Sequence, residues 1–467
     1  PMPTAGFDAI TEVCLGDAVD FTSSSTVVSG GLTPSWDFGD GNISSSTNPS
    51  HTYATIGFYT VQLSVESDFG CEDTYSSQVR VYPASVGGSV SGATTRCEDD
   101  DAVYTLSLSG QTGDVVRWER SLTGVDQWVS INNTSTTLDY SDLQENTYFR
   151  AVVQSGVCDE APSSSALITI DPVSEGGIID GSAEVCSGTN STTLELSGYT
   201  GTIIDWEYSS SASGPWTSLA TAATTYTAID LIATTYYRAE VKNGVCGSDY
   251  SELGIVTVIP ETVGGTLSGS TTRCADDDAT YTLSLSGETG DVVRWERSLT
   301  GSDQWISINN TTTTLDYSDL QETTYFRAIV QNGVCEEEVS STATIQIDEL
   351  SEGGEISGST EVCSGTNSTD LELSGYFGTI LDWEYATSSS GPWTSLSHSA
   401  SSYTATDLTT TTYYRAEVQN GVCSSDYSSI ATVTVIPQTV GGSVSGSVTR
   451  CADDDATYTM TLSGHTG

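Results

Sequence analysis

The chain repeats itself. Val86–Ser174 aligns without a gap on Val263–Ser351, and about three-quarters of the aligned positions are identical. The intervening stretch does the same, Glu175 aligning with Glu352 and Cys186 with Cys363, and a further copy of the first type opens at Val440. The order is therefore A-B-A-B. A chain built this way folds as a series of small units, each with its own core, and repetition adds length rather than one unique active site. A length of 467 residues also exceeds what one core organises. The expected domains are 1–83, unlike the rest; 84–172 (A1); 173–260 (B1); 261–349 (A2); 350–437 (B2); and 438–467, the start of another A copy. That last piece is too short to bury a core alone, as expected of a window on a longer polypeptide.

Almost nothing reads as helix. Short alternating runs rich in Ser, Thr, Val and Tyr sit between turn signals, the pattern of antiparallel sandwiches. In A1 the strands are expected near Gly88–Gly92 and over Ala102–Ser109, Val115–Ser121, Trp128–Asn132, Thr137–Tyr140, Thr147–Gln154 and Ala166–Asp171. Strict alternation would turn Val116 and Trp118 to the inner face and Arg117 and Glu119 to the outer one. In B1 the matching runs are Leu194–Ser197, Ile203–Tyr208, Trp216–Leu219, Tyr236–Lys242 and Ile255–Ile259. Each block carries two tryptophans, such as Trp118 with Trp128 and Trp206 with Trp216. The first is expected to plug the core and the second to cover a sheet edge; the functional alternative is a sugar-stacking platform.

The net charge is -49, with Lys242 the one lysine. The charge is spread evenly, net -9 over Val86–Pro172 and net -8 over Val173–Pro260. Such a coat argues against nucleic acid or an anionic membrane as partner, and it makes neighbouring domains repel, most strongly at low salt. No apolar run is long enough to insert into a membrane as a helix. Eleven cysteines, two per domain at regular places and outside any metal-ligand spacing, imply disulfides and an oxidising compartment.

The first domain carries Trp36-Asp37-Phe38-Gly39-Asp40-Gly41, then Asn48-Pro49, His51-Thr52-Tyr53 and Gly57-Phe58-Tyr59-Thr60-Val61. This resembles the PKD domain, an immunoglobulin-like sandwich of bacterial surface proteins. In the B blocks, Cys186-Ser187-Gly188-Thr189-Asn190, Leu196-Ser197-Gly198-Tyr199, Asp205-Trp206-Glu207-Tyr208 and Thr235-Tyr236-Tyr237-Arg238-Ala239 resemble the immunoglobulin-like repeats of giant Bacteroidota surface proteins. The A blocks depart from that pattern, with Glu98-Asp99-Asp100-Asp101 in place of the Ser-Gly-Thr-Asn stretch. The resemblance implies an all-β fold, a tandem array of immunoglobulin-like antiparallel β-sandwiches arranged as beads on a string. It also implies type IX secretion and a role in adhesion, gliding or prey capture.

In such a sandwich the first cysteine of each domain falls between the first two strands and the second between the last two. Those loops lie at opposite poles, tens of ångströms apart, whereas a disulfide needs Cα atoms within about 7 Å. In a head-to-tail array the first pole of one domain meets the second pole of the next. The expected pairs are therefore inter-domain: Cys14–Cys158, Cys97–Cys246, Cys186–Cys335 and Cys274–Cys423, with Cys71, Cys363 and Cys451 pairing beyond the window. Within-domain couples such as Cys97–Cys158 remain the alternative, because connectivity is not legible from spacing. Alternation of two dissimilar domain types also separates near-identical copies, which would otherwise exchange strands during folding.

Asp99-Asp100-Asp101 and Asp276-Asp277-Asp278 recur in A only, just after a joint cysteine. Calcium could bridge such carboxylates; the alternative is a solvated loop, since no spaced D-x-D-x-D-G pattern is present. Asp37 and Asp40, with Trp36, Gly39 and Gly41, read as formers of the PKD turn. Three histidines, none repeated, supply no Ser-His-Asp site, and no G-x-S-x-G, H-E-x-x-H or phosphate loop occurs. The expectation is a non-enzymatic, extracellular, load-bearing segment of a bacterial surface adhesin or filament, without cofactor unless calcium binds. Its partners would be its own neighbouring domains and, in a filament, parallel copies; its ligand is not legible. The alternative is a carbohydrate-binding display stalk of a secreted hydrolase.

Overall fold

The computed structural model describes residues 1–467, which form strands and turns and no helix. In A1, Ser89–Ser91, Tyr104–Ser109 and Thr137–Tyr140 make a three-stranded sheet. The facing sheet runs in the order Thr95–Cys97, Ala166–Asp171, Thr147–Gln154, Asp114–Ser121, Val129–Ile131, with Ala161–Pro162 added onto Thr147–Gln154. Every pairing is antiparallel except Thr95–Cys97, which runs parallel to Ala166–Asp171. The opening segment of the sandwich is thus shared between both sheets, Ser89–Ser91 on one and Thr95–Cys97 on the other. B1, A2 and B2 repeat the same strand order. This is the two-sheet architecture of an immunoglobulin-like domain.

The first domain is a variant of the same plan. Glu12–Cys14 lies parallel to Glu72–Tyr82, and that sheet continues through Gly57–Ser67, Leu32–Asp37 and Ile43–Ser44. The packing divides the chain into two compact units. One comprises Pro1–Ala183, Ser191–Ile229 and Thr234–Thr257; the other comprises Glu184–Asn190, Asp230–Ala233 and Val258–Gly467. The first therefore holds the N-terminal domain, A1 and most of B1, and the second holds one pole of B1 together with A2, B2 and the final segment.

Each core is built around one tryptophan. Trp36, Trp118, Trp206, Trp295 and Trp383 are all 0% exposed. Burying an indole is favourable only if its N–H keeps a partner. Each one does: the Trp36 indole donates to the Ser46 carbonyl at 2.9 Å, Trp118 to Ser135 at 2.9 Å, Trp206 to Ala223 at 2.8 Å, Trp295 to Thr312 at 2.9 Å and Trp383 to Ala400 at 2.8 Å. Around Trp118 pack Leu106, Leu108, Leu138, Phe149, Val153 and Ile168.

One expectation about facing residues is corrected. Val115, not Val116, joins Trp118 in the core, because the register between Asp114–Ser121 and Thr147–Gln154 slips by a bulge between Val115 and Arg117. A bulge adds one residue to one strand and resets its alternation. The same slip occurs between Val292 and Arg294 in A2 and between Ile203 and Asp205 in B1. The structure also adds Thr95–Cys97 and, in the B type, Thr225–Ile229 to the strands read from sequence.

Replacing Trp295 by alanine is expected to destabilise A2 by about 3–5 kcal/mol, the cost of an aromatic-sized core cavity plus an orphaned carbonyl. Hydrogen exchange should show protection lost across Thr324–Gln331 and kept in the equivalent strand of B2, Thr412–Gln419.

Candidate functional site at the domain joints

Where one sandwich ends, the next places a tight turn against it. Asp171 closes the last strand of A1, and Cys97 lies beside it in the parallel register. The B1 turn Asn243-Gly244-Val245-Cys246 seats on this end. The Val245 amide donates to the Asp171 carboxylate at 3.0 Å, the Asn243 side chain donates to the Pro172 carbonyl at 2.8 Å, and the Asn243 amide donates to Ser174 Oγ at 2.8 Å. Gly244 has φ 49°, and a Cβ there would fall 1.9 Å from the Asp171 carboxylate. Only glycine supplies that backbone without a clash. The turn Asn420-Gly421-Val422-Cys423 repeats the arrangement on Asp348, with the Val422 amide at 3.0 Å.

Four disulfides close these joints: Cys14–Cys158, Cys97–Cys246, Cys186–Cys335 and Cys274–Cys423, with Cα separations of 4.9, 4.8, 5.1 and 4.8 Å. All lie within the span a disulfide bridges without backbone movement. The structure thus brings together the cysteines of successive domains and joins no within-domain couple. Cys71, Cys363 and Cys451 form no disulfide within residues 1–467. Cys71 lies just after the turn Ser67–Gly70 that joins the long strands Gly57–Ser67 and Glu72–Tyr82, and Cys363 ends the B2 counterpart of the strand that Cys97 ends in A1. The glycine turn that makes the joint possible was not singled out from sequence, although its Gly-Val-Cys signature recurs at residues 156–158, 244–246, 333–335 and 421–423.

The connectivity has a further property. From Cys158 the chain runs through one linker to Cys186, whose disulfide leads to Cys335, and through a second linker of equal length to Cys363. From Cys246 it runs in the same way to Cys274, whose disulfide leads to Cys423. These are two covalent rails, each made of last strands, linkers and first strands. The segments 97–158, 186–246 and 274–335 run between the rails rather than along them. Those segments carry the central strands and the core tryptophans.

The aspartate run beside the joint divides by role. Arg96, 2% exposed, donates through Nε to Asp100 at 3.2 Å and through Nη2 to the Asp100 and Ala102 carbonyls at 2.6 and 2.8 Å. Its guanidinium lies 3.8 Å over the Tyr104 ring. Arg96, the Ala102 amide and the Tyr104 hydroxyl hold the Asp100 carboxyl below its ordinary value. Arg273, Ala279 and Tyr281 do the same for Asp277. Asp99, Asp101, Asp276 and Asp278 remain exposed. The three carboxylates of each run therefore do not converge, and the middle one is committed to arginine. Asp99 comes close to the Cys97 and Cys246 sulfurs, but both are consumed in the disulfide. In B1 the same loop is held by a different residue: the Asn190 side chain donates to the Cys186 and Leu231 carbonyls at 2.8 and 2.7 Å.

The second tryptophans are half-buried on the outer face, and an arginine covers each. Arg150 lies 4.0 Å over Trp128, Arg238 4.4 Å over Trp216, Arg327 4.0 Å over Trp305 and Arg415 4.4 Å over Trp393. A glutamate completes each stack, as in Arg150–Glu119 at 2.8 Å and Arg327–Glu296 at 2.7 Å. Burial pushes the Glu119 and Glu296 carboxyls up, but the bonds from two arginines each outweigh it and hold them below the ordinary range. In the first domain Asp37 accepts from the Gly39 amide at 2.9 Å, and Asp40 accepts from the Asn42 amide at 3.0 Å and contacts His51 at 2.8 Å. Gly39 has φ 82°, and a Cβ there would meet the Thr60 carbonyl at 2.6 Å. Next to it, Trp36 fills the core and Gly41 has φ 94°. The motif is a structural turn.

The family profile described as a domain of unknown function (DUF8696) matches residues 86–172, 175–260, 263–349 and 352–437, and a PKD-domain profile matches residues 1–81. A microbial collagenase of Vibrio alginolyticus is 34% identical over 88 residues, which are 18% of this chain and 11% of the collagenase. Among solved structures, the PKD1 domain of Vibrio anguillarum Epp is 35% identical, covering 17% of this chain and 94% of that one, with a TM-score of 0.16. The titin I-band fragment I67–I69 is 11% identical over 56% of this chain and 98% of its own, with a TM-score of 0.37. A PKD domain and regular disulfides are features of extracellular proteins.

The lowered carboxyl values have a signed consequence. A carboxylate held below its unfolded value contributes stability that is full above that unfolded value and is lost as pH falls through the folded one. The melting-temperature gap between the chain and its Glu296→Gln variant is therefore expected to be widest near neutral pH. It should close below about pH 4, where unfolded carboxylates protonate.

Proposed function

The chain belongs to the family described as a domain of unknown function (DUF8696), carrying four copies behind a PKD domain, and we propose that it is a load-bearing segment of a long extracellular bacterial surface protein, an adhesin or filament. The observation that carries this reading is the pair of disulfide-linked rails. The A-B unit from Cys97 to Cys274 is bypassed by the Cys97–Cys246 disulfide and the single linker from Cys246 to Cys274. Pulled straight at about 3.4 Å per residue, the bypass spans roughly 95 Å, against roughly 600 Å for the whole unit. Tension along the chain would then be borne by the linkers and by the first and last strands of each sandwich, and the cores between the rails could open without the chain lengthening. Such a segment works as a tether rather than a spring.

This reading is non-enzymatic and takes no cofactor at the joint, where the disulfide and the Arg96–Asp100 clamp already hold the loop. Cell-surface placement and type IX export belong to the same proposal. The uniform charge of -49 favours a chain that stands apart from its copies unless cations bridge them. A second reading, a display stalk of a secreted hydrolase, draws support from the collagenase segment that this chain resembles.

Single-molecule stretching discriminates. Under oxidising conditions, unfolding of an A-B unit is expected to add little contour length. After reduction, each unit should yield about 500 Å more, the difference between the two routes. Full-length extension of the oxidised chain would refute the load-bearing reading.

A further inference from the structure

Of the twelve arginines, ten meet a carboxylate, a carbonyl or an aromatic ring. The exceptions are Arg120 and Arg297, exposed and without such a partner. In a chain with 62 carboxylates, an arginine left unpaired twice at the same place is a placed group rather than a spare one. Both line a cleft in an A-type sandwich, about 430 Å³ in A1 and about 600 Å³ in A2. That size suits a small ligand. Between A1 and A2 about one position in four differs, yet of the ten residues lining the A1 cleft only Val129 changes, to Ile306.

The A2 cleft opens between the turn after Asp291–Ser298 and the turn before Thr324–Gln331. It shares the pole of Cys274, since the Gln321 side chain donates to the Ala275 carbonyl at 3.2 Å. Its apolar wall is Leu299 and Ile306, each 60% exposed, with Trp305 beside them. Its charged and amide groups are Arg297, Gln304, Asp319, Gln321 and Glu322. All of these residues fall between Cys274 and Cys335, off the rails. In B2 the positions of Arg297, Gln304 and Glu322 become Tyr385, Pro392 and Thr410 while Asp319 is kept as Asp407, so the full set recurs once per A-B unit.

We propose that this cleft binds a neutral saccharide, one per A-type domain. The chemistry selects the class. A guanidinium only donates, a carboxylate only accepts and an amide does both; together they match vicinal hydroxyls, which also do both. The Leu299 and Ile306 side chains offer apolar contact to the C–H face of a sugar ring. An anionic ligand would meet Asp319, Glu322 and the field of the whole chain, and a cationic one would meet Arg297. An uncharged polyhydroxylated ligand incurs neither repulsion. The proposal is independent of the load-bearing reading, whose test is mechanical.

The test is calorimetric titration of the oxidised 467-residue chain with the hexaoses of β-1,3-glucan, β-1,4-glucan and β-mannan, and with hexagalacturonate as the acidic arm. At least one neutral hexaose is expected to bind at two sites with a Kd of about 1 mM, and the acidic arm about 10-fold more weakly. The double variant Arg120→Ala, Arg297→Ala removes exposed, unpaired side chains, so melting should hold while affinity drops about 10-fold or more. No binding of any neutral hexaose at about 10 Kd, a variant that binds unchanged, or preference for hexagalacturonate would each overturn the proposal.

Discussion

A covalent bond between domains, not within them, organises this molecule. Cys97 and Asp171 are neighbours in a parallel strand pair, and the peptide linker leaves from Asp171 while the disulfide leaves from Cys97. Two connections side by side hold the following domain, where a single linker would act as a swivel. The turn that receives the disulfide is seated by hydrogen bonds to Asp171, Pro172 and Ser174. Its glycine leaves no room for a side chain. The sulfur chemistry fixes the joint, and the hydrogen bonds hold the turn in the place where the two sulfurs meet.

Electrostatics imposes the next constraint. With 13 basic residues against 62 acidic ones, cations are scarce. Arg96 and Arg273 lock the loop behind a joint cysteine. Arg150, Arg238, Arg327 and Arg415 cap a tryptophan and neutralise a part-buried glutamate. Guanidinium suits both tasks because it stacks on rings while donating in its plane. Arg120 and Arg297 alone among the arginines meet no carboxylate, carbonyl or ring, and that contrast sets the A-type cleft apart from the rest of the surface.

Much of this was legible before any coordinates. The A-B-A-B period sets the number of domains, and alternating β-formers with turn residues set their class. Trp118 and Trp206 could be placed in cores, and the Trp36–Gly41 run read as a turn. The inward residue of Asp114–Ser121 was misread because a bulge is a register property of two strands, and one strand alone does not contain it. The Asp99–Asp101 run looked like one acidic cluster. Its middle member belongs to Arg96, and only the backbone turn that brings Asp100 back over the guanidinium reveals this.

Periodicity and local propensity along the chain set how many sandwiches there are, which tryptophan fills each A and B core and that cysteines recur at two places per domain. The inter-domain pairing was expected from the poles of the two loops, and the folded geometry selects it over the within-domain alternative. That choice depends on the poles at which the two loops emerge and on the turn that Gly244 permits, and such distances between residues 149 apart arise only once the strands have packed.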